Sequence, residues 1–237
     1  MKTARLHRTV EDPRDLPAYS IPEAAHYLSL PVATLRAWVS DRSYPTKACQ
    51  QRAQPVIRIP QVAPSTLSFF NLCEAHVLAA IRREHHVALR NVRRTVVFLC
   101  KTFDSRHPLL DEAMETEGKG HFIRHMGGLN NITQEGQRAI REMLDVHLKR
   151  IERDAHGLPI RLYPFTRSDI QGAPRSVVIE PGLAFGRPVI AGTNIPTSIV
   201  AERCKAGETI SQLAEDYGRS TGEIEEAIRC ELERKAA

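Results

Sequence analysis

Two stretches of the sequence, one near each end, have the spacing of a helix-turn-helix motif, and this constrains the fold more than any other feature. In such a motif a small residue lets two helices approach, a turn residue follows, and an aliphatic residue then packs beneath the second helix. These positions are held by Ala25, Ser29 and Leu35 in the first stretch and by Ala214, Gly218 and Ile224 in the second. The sequence therefore predicts a helical unit near each end of the chain.

The second helices of the two motifs differ in charge on the face expected to point to solvent. The first presents Val32, Ala33 and Arg36, and the second presents Ser220, Thr221, Glu225 and Glu226. Only the first suits a polyanion, because carboxylates beside phosphates oppose binding. We expect DNA contact at the first motif and protein contact or dimerisation at the second, for which a purely structural role is an equal alternative.

The net charge of +5 is distributed unevenly along the 237 residues. Residues 1–107 hold 16 Lys and Arg against 8 Asp and Glu, residues 108–175 hold 10 against 10, and residues 176–237 hold 7 against 10. A basic segment attracts polyanions whatever its fold. The partner of the N-terminal half is therefore expected to be nucleic acid.

Several function classes find no support in the sequence. No catalytic constellation is present, so we expect no enzyme, no cofactor and no metal site. His121 and His125 have a helical metal-ligand spacing, but the adjacent glycines argue against a helix there. The five widely spaced cysteines indicate reduced thiols. No signal peptide or membrane-spanning run is found, so we expect a cytoplasmic protein with no membrane contact.

Periodicity and turn signals predict a mainly α fold with small β elements, divided into five parts. These are a flexible arm (1–18), a winged helix-turn-helix domain (19–103), a middle region with loops and one helix (104–156), a linker (157–175), and a C-terminal helical domain (176–237). Within the middle region, residues 104–136 are expected to form loops, with a β-hairpin among them as an alternative, and the helix to start at Thr133 or Gln134 and continue through Ile151. The C-terminal domain is expected to hold three helices preceded by short strands.

Residues 41–66 contain four prolines around the alternating segment Val56–Ile59, which favours a β-hairpin over a helix. A hairpin directly after a helix-turn-helix motif is expected to act as a wing. Arg42, Arg52 and Arg58 in this segment are candidates for phosphate contacts, beside base contacts from the first motif. The next helix is expected to begin at a capping pair formed by Asn71 and Glu74.

Longer motifs in the C-terminal domain resemble those of the antitoxin-associated domain long catalogued as of unknown function. They are VIEP at 178–181, GRPVIAGT at 186–193, IPT at 195–197, AGE at 206–208 and LAEDYG at 213–218. The N-terminal part is similar to MerR-like winged helix-turn-helix domains, through YSIPEAA at 19–25, TLRAW at 34–38 and LSF at 67–69. Together the two parts resemble a large VapB-type antitoxin.

This resemblance implies an antitoxin of a type II toxin–antitoxin system. Such a protein binds and silences a PIN-domain endoribonuclease of the VapC type, and represses the shared operon by binding operator DNA. The commonest VapB antitoxins are far shorter and bind toxin through a disordered tail, so the resemblance does not locate the toxin-binding segment. We expect a homodimer, because one short recognition helix reads too few base pairs.

Basic and aromatic residues alternate in the linker, at Arg161, Tyr163, Phe165 and Arg167. An arginine inserted among the carboxylates of a PIN-type active site could compete with Mg²⁺ through charge-assisted hydrogen bonds. The segment is therefore a candidate for toxin binding, although an interdomain linker docked by its aromatic residues fits the same pattern. For the whole chain, the alternative function is a stand-alone ligand-responsive MerR-like regulator with its sensor in residues 104–175.

Overall fold

The computed structural model describes residues 12–40, 42–45, 50–53, 55–84, 89–111, 119–130, 132–170 and 172–232. Its helices are α1 (Ile21–Tyr27), α2 (Val32–Val39), α3 (Phe69–Glu84), α4 (Leu89–Phe103), α5 (Lys119–Asn130), α6 (Gln134–Leu148), α7 (Thr197–Lys205), α8 (Ile210–Tyr217) and α9 (Thr221–Glu231). Its strands are β1 (Tyr19–Ser20), β2 (Arg42–Pro45), β3 (Gln50–Ala53), β4 (Gln61–Val62), β5 (Ser65–Leu67), β6 (Ile151–Arg153), β7 (Pro159–Leu162), β8 (Val177–Val178) and β9 (Val189–Ile190). The expected class, mainly α with small β elements, is confirmed.

The first helix-turn-helix motif forms as its sequence predicts. Ser20 and Glu23 close a capping box at the start of α1, and Pro22 occupies the first turn. Ser29 makes the turn with a φ of 52°. Leu35 and Trp38 on α2 are fully buried and fix the orientation of that helix. The opposite face of α2 consequently points to solvent.

The hairpin after α2 exists, but it lies earlier in the chain than the sequence indicated. Strands β2 and β3 pair antiparallel, with Ser43 opposite Arg52. The predicted strand at Val56–Ile59 is wrong, because Val56 and Ile57 lie in a bend and both of their N–H groups donate to the Trp38 carbonyl oxygen. Their side chains are buried in the core. The apolar residues of this segment therefore pack beneath α2 and do not form a strand.

Helix α3 begins two residues before the predicted cap. The Asn71 N–H donates to Ser68 Oγ at 3.2 Å, and the Ser68 N–H donates to Asn71 Oδ1 at 3.1 Å. The capping pair is thus Ser68 with Asn71, instead of Asn71 with Glu74. Glu74 lies buried inside the helix and receives a hydrogen bond from the Asn71 side chain.

The expectation of loops across residues 104–136 is wrong for residues 119–130, which form α5. Phe122, Ile123 and Met126 recur at helical spacing and are buried. One of these glycines has a packing role, since a Cβ at Gly127 would lie 2.8 Å from Nε2 of Gln137. Glycine therefore allows α5 to approach α6 closely. Among its described residues the middle region has two helices beyond α4, and α6 ends at Leu148 before β6 begins.

The predicted linker is part of a folded unit. Strand β7 pairs with β6, and Leu162 and Ile179 exchange two backbone hydrogen bonds that connect β7 to the start of the C-terminal domain. Strands β8 and β9 then pair antiparallel. Strands β6, β7, β8 and β9 are thus connected by antiparallel contacts that extend from the middle region into the C-terminal domain.

The end of the predicted flexible arm is also packed. Nη1 of Arg14 donates to Asp154 at 2.8 Å and to the Pro159 carbonyl at 3.2 Å. These contacts attach residues 12–18 to the β6–β7 hairpin, so the expected flexibility is wrong for them. Residues 1–11 lie outside the described part of the chain.

The three C-terminal helices form around a small core of their own, as expected. Thr209 and Gln212 form a capping box on α8, and Ser220 and Glu223 form one on α9. Gly218 ends α8 in the left-handed conformation, with φ at 60°. The buried core residues are Ile190, Val200, Leu213, Ala214, Ile224 and Ala227.

Candidate nucleic-acid interface

The solvent-facing side of α2 carries the three residues expected to contact bases. Val32, Ala33 and Arg36 are all exposed. In the described part of the chain the Arg36 side chain has no carboxylate or hydrogen-bond partner. A free guanidinium can donate two hydrogen bonds to a guanine edge, and small apolar side chains can contact a thymine methyl group. The geometry of this face is therefore compatible with reading a major groove.

Uncommitted positive charge distinguishes the N-terminal half from the C-terminal domain. Arg36, Arg58, Arg90 and Arg94 are exposed and form no ion pair with any other described residue. The arginines beyond residue 160 for which ion pairs are seen are Arg161, Arg167, Arg187, Arg203, Arg219 and Arg229. An arginine already paired with a carboxylate has little net charge to offer a phosphate. The structure thus strengthens the charge asymmetry seen in the sequence.

The three arginines expected in the wing do not lie together. Arg42 and Arg52 occupy adjacent rungs of the β2–β3 hairpin, where Arg42 is opposite Ala53 and Arg52 is opposite Ser43. Arg58 lies outside this hairpin. It is close enough to Cys100 on α4 that its charge partly offsets the burial that raises the pKa of that thiol. The structure therefore brings two of the three candidates to the hairpin.

Most acidic residues of α9 form bonds within the protein. The second motif therefore exposes fewer free carboxylates than its sequence indicated. Glu226 is buried and accepts hydrogen bonds from Thr166, Arg167 and Arg229. Burial favours the neutral acid, but these donors outweigh it and lower the pKa of Glu226. The expectation that Glu226 is exposed is wrong, because its carboxylate ties α9 to the linker segment.

The remaining carboxylates of α9 also have partners within the domain. Glu223 closes the cap of its helix and pairs with Arg219, and Glu225 pairs with Arg229. Glu231 accepts a hydrogen bond from the Thr197 hydroxyl at the start of α7. Much of the acidity that opposes DNA binding at this motif therefore stabilises the helical unit.

Two of the four linker residues expected to contact toxin are tied to a shared carboxylate. Nε of Arg161 donates to Glu180 at 2.6 Å, and its Nη1 donates to Glu152 at 3.0 Å. The Tyr163 hydroxyl also donates to Glu152, at 2.9 Å. These bonds hold both side chains against their own sheet.

Phe165 cannot serve as a surface contact. It is 6% exposed, stacks on His76 with ring centroids 5.4 Å apart, and lies 4.6 Å beneath the Arg150 guanidinium. Arg167 is the most accessible of the four, with 48% of its side chain exposed although it pairs with Glu226. The alternating pattern thus reflects a docked segment, in which Arg161, 39% exposed, is held by two carboxylates and Arg167 by one.

A contact between the two ends of the chain was not evident from the sequence. The buried Tyr19 hydroxyl donates to the Gly186 carbonyl oxygen at 3.0 Å, and Arg187 pairs with Glu23 of α1. Gly186 has a φ of 76°, and a Cβ there would lie 2.5 Å from the Tyr19 hydroxyl oxygen. The only signal in the sequence was this glycine within the GRPVIAGT motif. The C-terminal domain is therefore docked on the helix-turn-helix domain.

Metal-binding and membrane-spanning features were searched within the described ranges. No group of three or more potential metal-ligating side chains occurs there. His121 and His125 do lie on a helix, contrary to expectation, but His125 stacks on Phe98 and bonds to Thr95. None of the described helices combines the length and apolar character required to cross a bilayer.

The fold and the exposed face of α2 define a winged helix-turn-helix protein with a second helical domain. Residues 17–96 match the family "Putative DNA-binding HTH domain", and residues 177–229 match the family "Protein of unknown function (DUF433)". The first match places a DNA-binding type of domain in the N-terminal half.

The chain is similar to two known proteins along almost its whole length. It is 28% identical to "Putative antitoxin VapB45" of Mycobacterium tuberculosis, over 90% of this chain and 93% of that protein. It is 23% identical to "Uncharacterized protein Rv2308" of the same organism, over 94% of each chain. The crystal structure of Rv2018 from Mycobacterium tuberculosis has the same fold, with a TM-score of 0.64 and 22% identity over 91% of this chain and 98% of that one. The resemblance to a large VapB-type antitoxin is confirmed.

Proposed function

We propose that this protein is an antitoxin that represses its own operon by binding DNA as a homodimer and that neutralises a PIN-domain endoribonuclease. The observation that carries the DNA-binding part is Arg36, exposed and unpaired among the described residues on a recognition helix. The similarity over 90% of the chain to a protein named as an antitoxin supports the toxin-binding part. It also favours this function over a stand-alone ligand-responsive regulator.

In the proposed DNA complex, α2 enters the major groove. Arg36 contacts a guanine edge, and Val32 and Ala33 contact thymine methyl groups. Arg42 and Arg52 on the hairpin contact phosphates beside the groove. Arg58 contributes to the basic field from outside the hairpin, so its effect on affinity is weaker and independent of sequence.

In the proposed toxin complex, Arg167 is the linker residue that reaches the toxin. Glu226 would keep its bonds to Thr166 and Arg229 if Arg167 moved to a carboxylate of the toxin, so the exchange leaves no buried carboxylate without a donor. Arg161 is less available because both Glu152 and Glu180 hold it. Tyr163 shares this restraint, and Phe165 contributes only by fixing the segment.

Two assays on the full-length protein test the two parts separately. The first measures binding to the DNA upstream of its own gene, where Arg36→Ala should weaken binding while toxin inhibition persists. The second measures inhibition of the ribonuclease encoded by the neighbouring gene, where Arg167→Ala should weaken inhibition and Arg138→Ala, which removes an arginine from an exposed pair with Glu142, should serve as the matched control. Unchanged operator affinity in the first assay contradicts the DNA-binding part. Unchanged inhibition by Arg167→Ala contradicts the assigned toxin contact.

A further inference from the structure

The turn that docks the C-terminal domain presents one aromatic ring to solvent. Phe185 is 95% exposed. It lies between Ala184 and Gly186, and the three residues have φ values of 45°, 55° and 76°. Non-glycine residues rarely adopt this left-handed conformation, and such strain concentrates at binding sites. The chain thus holds a large apolar side chain away from its own core in an unfavourable conformation.

The turn carrying Phe185 is held on both sides. The Gly186 N–H donates to the Leu183 carbonyl at 2.8 Å, and the Gly186 carbonyl accepts the buried Tyr19 hydroxyl. Arg187 then pairs with Glu23. These contacts fix the backbone beneath the ring, so Phe185 needs little further ordering when a partner binds.

An open pocket of about 530 Å³ lies on the same part of the surface. Leu183, two residues before Phe185, forms part of its wall. The other lining residues are Arg161, Tyr163, Val178, Glu180, Gly192, Thr193 and Asn194. The Leu183 side chain and the Tyr163 ring offer contacts for an aromatic group.

Arg161 gives this pocket a further affinity for an aromatic ring. Its guanidinium uses N–H groups, which lie in the plane of the group, to bond Glu180 and Glu152. A face of the guanidinium can still stack on a ring while its N–H groups bond the two carboxylates. The carboxylates already balance the charge of Arg161, so the pocket can receive an uncharged phenyl side chain.

We propose that Phe185 of each chain inserts into this pocket on a second copy of the chain, forming a two-fold symmetric dimer. A projection and a pocket side by side on one surface satisfy the condition for an isologous interface, in which residue i contacts residue j and residue j contacts residue i. The two contacts then form together. Under the proposed function, this dimer would present one α2 helix from each copy to operator DNA. This proposal rests on the proposed function only where it assigns DNA binding to the dimer.

The test uses the full chain and measures its oligomeric state by analytical ultracentrifugation over a range of concentrations. Phe185→Asn removes the ring while asparagine tolerates the left-handed conformation, so the turn is preserved. Each dimer loses the ring twice, and we expect the dimer dissociation constant to rise at least about 30-fold. Phe185→Tyr, which retains an aromatic ring, is the matched control and should dimerise. A monomeric wild-type protein, or Phe185→Asn with an unchanged dissociation constant, overturns the proposal.

A second variant tests the reciprocity of the contact. Asn194→Trp places a large side chain on the pocket wall and leaves Phe185 intact. Each variant alone should dimerise at least about 30-fold more weakly than the wild type, whereas a mixture with Phe185→Asn should form a heterodimer more tightly than either variant alone, because the intact ring of one chain enters the intact pocket of the other. Absence of heterodimer when both variants are folded contradicts the proposed arrangement.

Photo-crosslinking separates a second copy from other occupants. A photoreactive benzoyl-phenylalanine at position 185 should produce a covalent dimer of the purified protein, with attachment at residues 161–163, 178–183 or 192–194. Attachment elsewhere on the second copy, or attachment only to added toxin, overturns the proposal. Arg36→Ala should dimerise normally, so a failure of DNA binding is distinguishable from a failure of this interface.

Discussion

The hydroxyl of Tyr19, at the start of the helix-turn-helix domain, donates a hydrogen bond to the carbonyl oxygen of Gly186 in the C-terminal domain across 3.0 Å of buried space. The two residues are 167 positions apart in the chain. The bond satisfies a phenol whose pKa is raised by burial. With the Arg187–Glu23 pair beside it, this bond sets how the DNA-binding helices are attached to the rest of the protein.

Replacing Gly186 with alanine is expected to destabilise the protein by about 2–3 kcal/mol, measured by urea unfolding. The new Cβ would lie 2.5 Å from the Tyr19 hydroxyl oxygen in a backbone with φ at 76°. Gly192→Ala is the matched control, because Gly192 has φ at 75° and no atom within 4 Å of the new Cβ. It should lose only about 1 kcal/mol. Equal losses for the two variants would show that the contact with Tyr19 is unimportant.

The same contact predicts partial rescue by a second substitution. Tyr19→Phe removes the oxygen that clashes, so Tyr19→Phe/Gly186→Ala should lose less stability than the sum of the two single changes. The rescue is incomplete because the Cβ would also lie 3.3 Å from Cζ of Tyr19. Strict additivity in this double-mutant cycle would argue against direct contact between the two positions.

Replacing Glu226 with alanine is expected to destabilise the C-terminal domain by about 3 kcal/mol, because it removes the buried partner of Arg167, Arg229 and Thr166. Glu225→Ala is the control on the same helix. Glu225 is 40% exposed and pairs with Arg229 near solvent, so its loss should amount to less than about 1 kcal/mol. Thermal unfolding of both variants measures the difference.

The lowered pKa of Glu226 predicts that the stability of the protein depends on pH. Its pKa in the folded protein is lowered, so its contribution to stability is present above the pKa of an unfolded glutamate and is lost as pH falls through the folded value. Urea unfolding between neutral pH and pH 3 should show the wild type losing more stability than Glu226→Gln. Parallel pH profiles for the two proteins would contradict this prediction.

The sequence was sufficient for the parts of the fold that depend on local chemistry. The turns at Ser29 and Gly218 and the burial of Leu35 each follow from residues a few positions away in the chain. Residues 119–130 were assigned to loops because glycine is a poor helix former. Gly127 instead allows two helices to approach, and that requirement is visible only once α6 is in place.

The candidate site residues also fall into two groups, those predicted from nearby residues and those whose environment depends on distant parts of the chain. Arg36 was predicted from the spacing of one motif, and its exposure depends only on the orientation of one helix. The environments of Phe165 and Glu226 depend on partners roughly 60 to 90 residues away, such as His76 and Thr166. Charge and alternation along the chain could not distinguish those buried contacts from exposed ones.

His107 predicts a loss of stability as pH rises. Its Nδ1 lies 3.1 Å from Glu74 on α3, and its Nε2 lies 3.6 Å from Asp15 in the segment before β1. His107 therefore connects that segment to α3. Burial favours the neutral imidazole and nearby Arg106 adds to that effect, but the bond to Glu74 and the charges of Glu74 and Asp15 outweigh them and raise the pKa. The contribution is complete below the unfolded value of about 6.5 and is lost as pH increases through the folded value. Urea unfolding between pH 6 and 9 should show this loss in the wild type and not in His107→Gln.

Arg36→Ala is expected to weaken operator binding by about 1–3 kcal/mol, because a guanidinium bonded to a guanine edge contributes on this scale. Arg58→Ala is the matched control, since Arg58 is also exposed and unpaired among the described residues but lies outside the hairpin. Binding is measured by fluorescence anisotropy at several salt concentrations with operator and with scrambled DNA. If Arg36 reads a base, its loss reduces the preference for operator over scrambled DNA, whereas loss of Arg58 weakens both equally. Equal weakening of both DNAs by Arg36→Ala would instead make Arg36 a phosphate contact and remove base reading from the proposed role of α2.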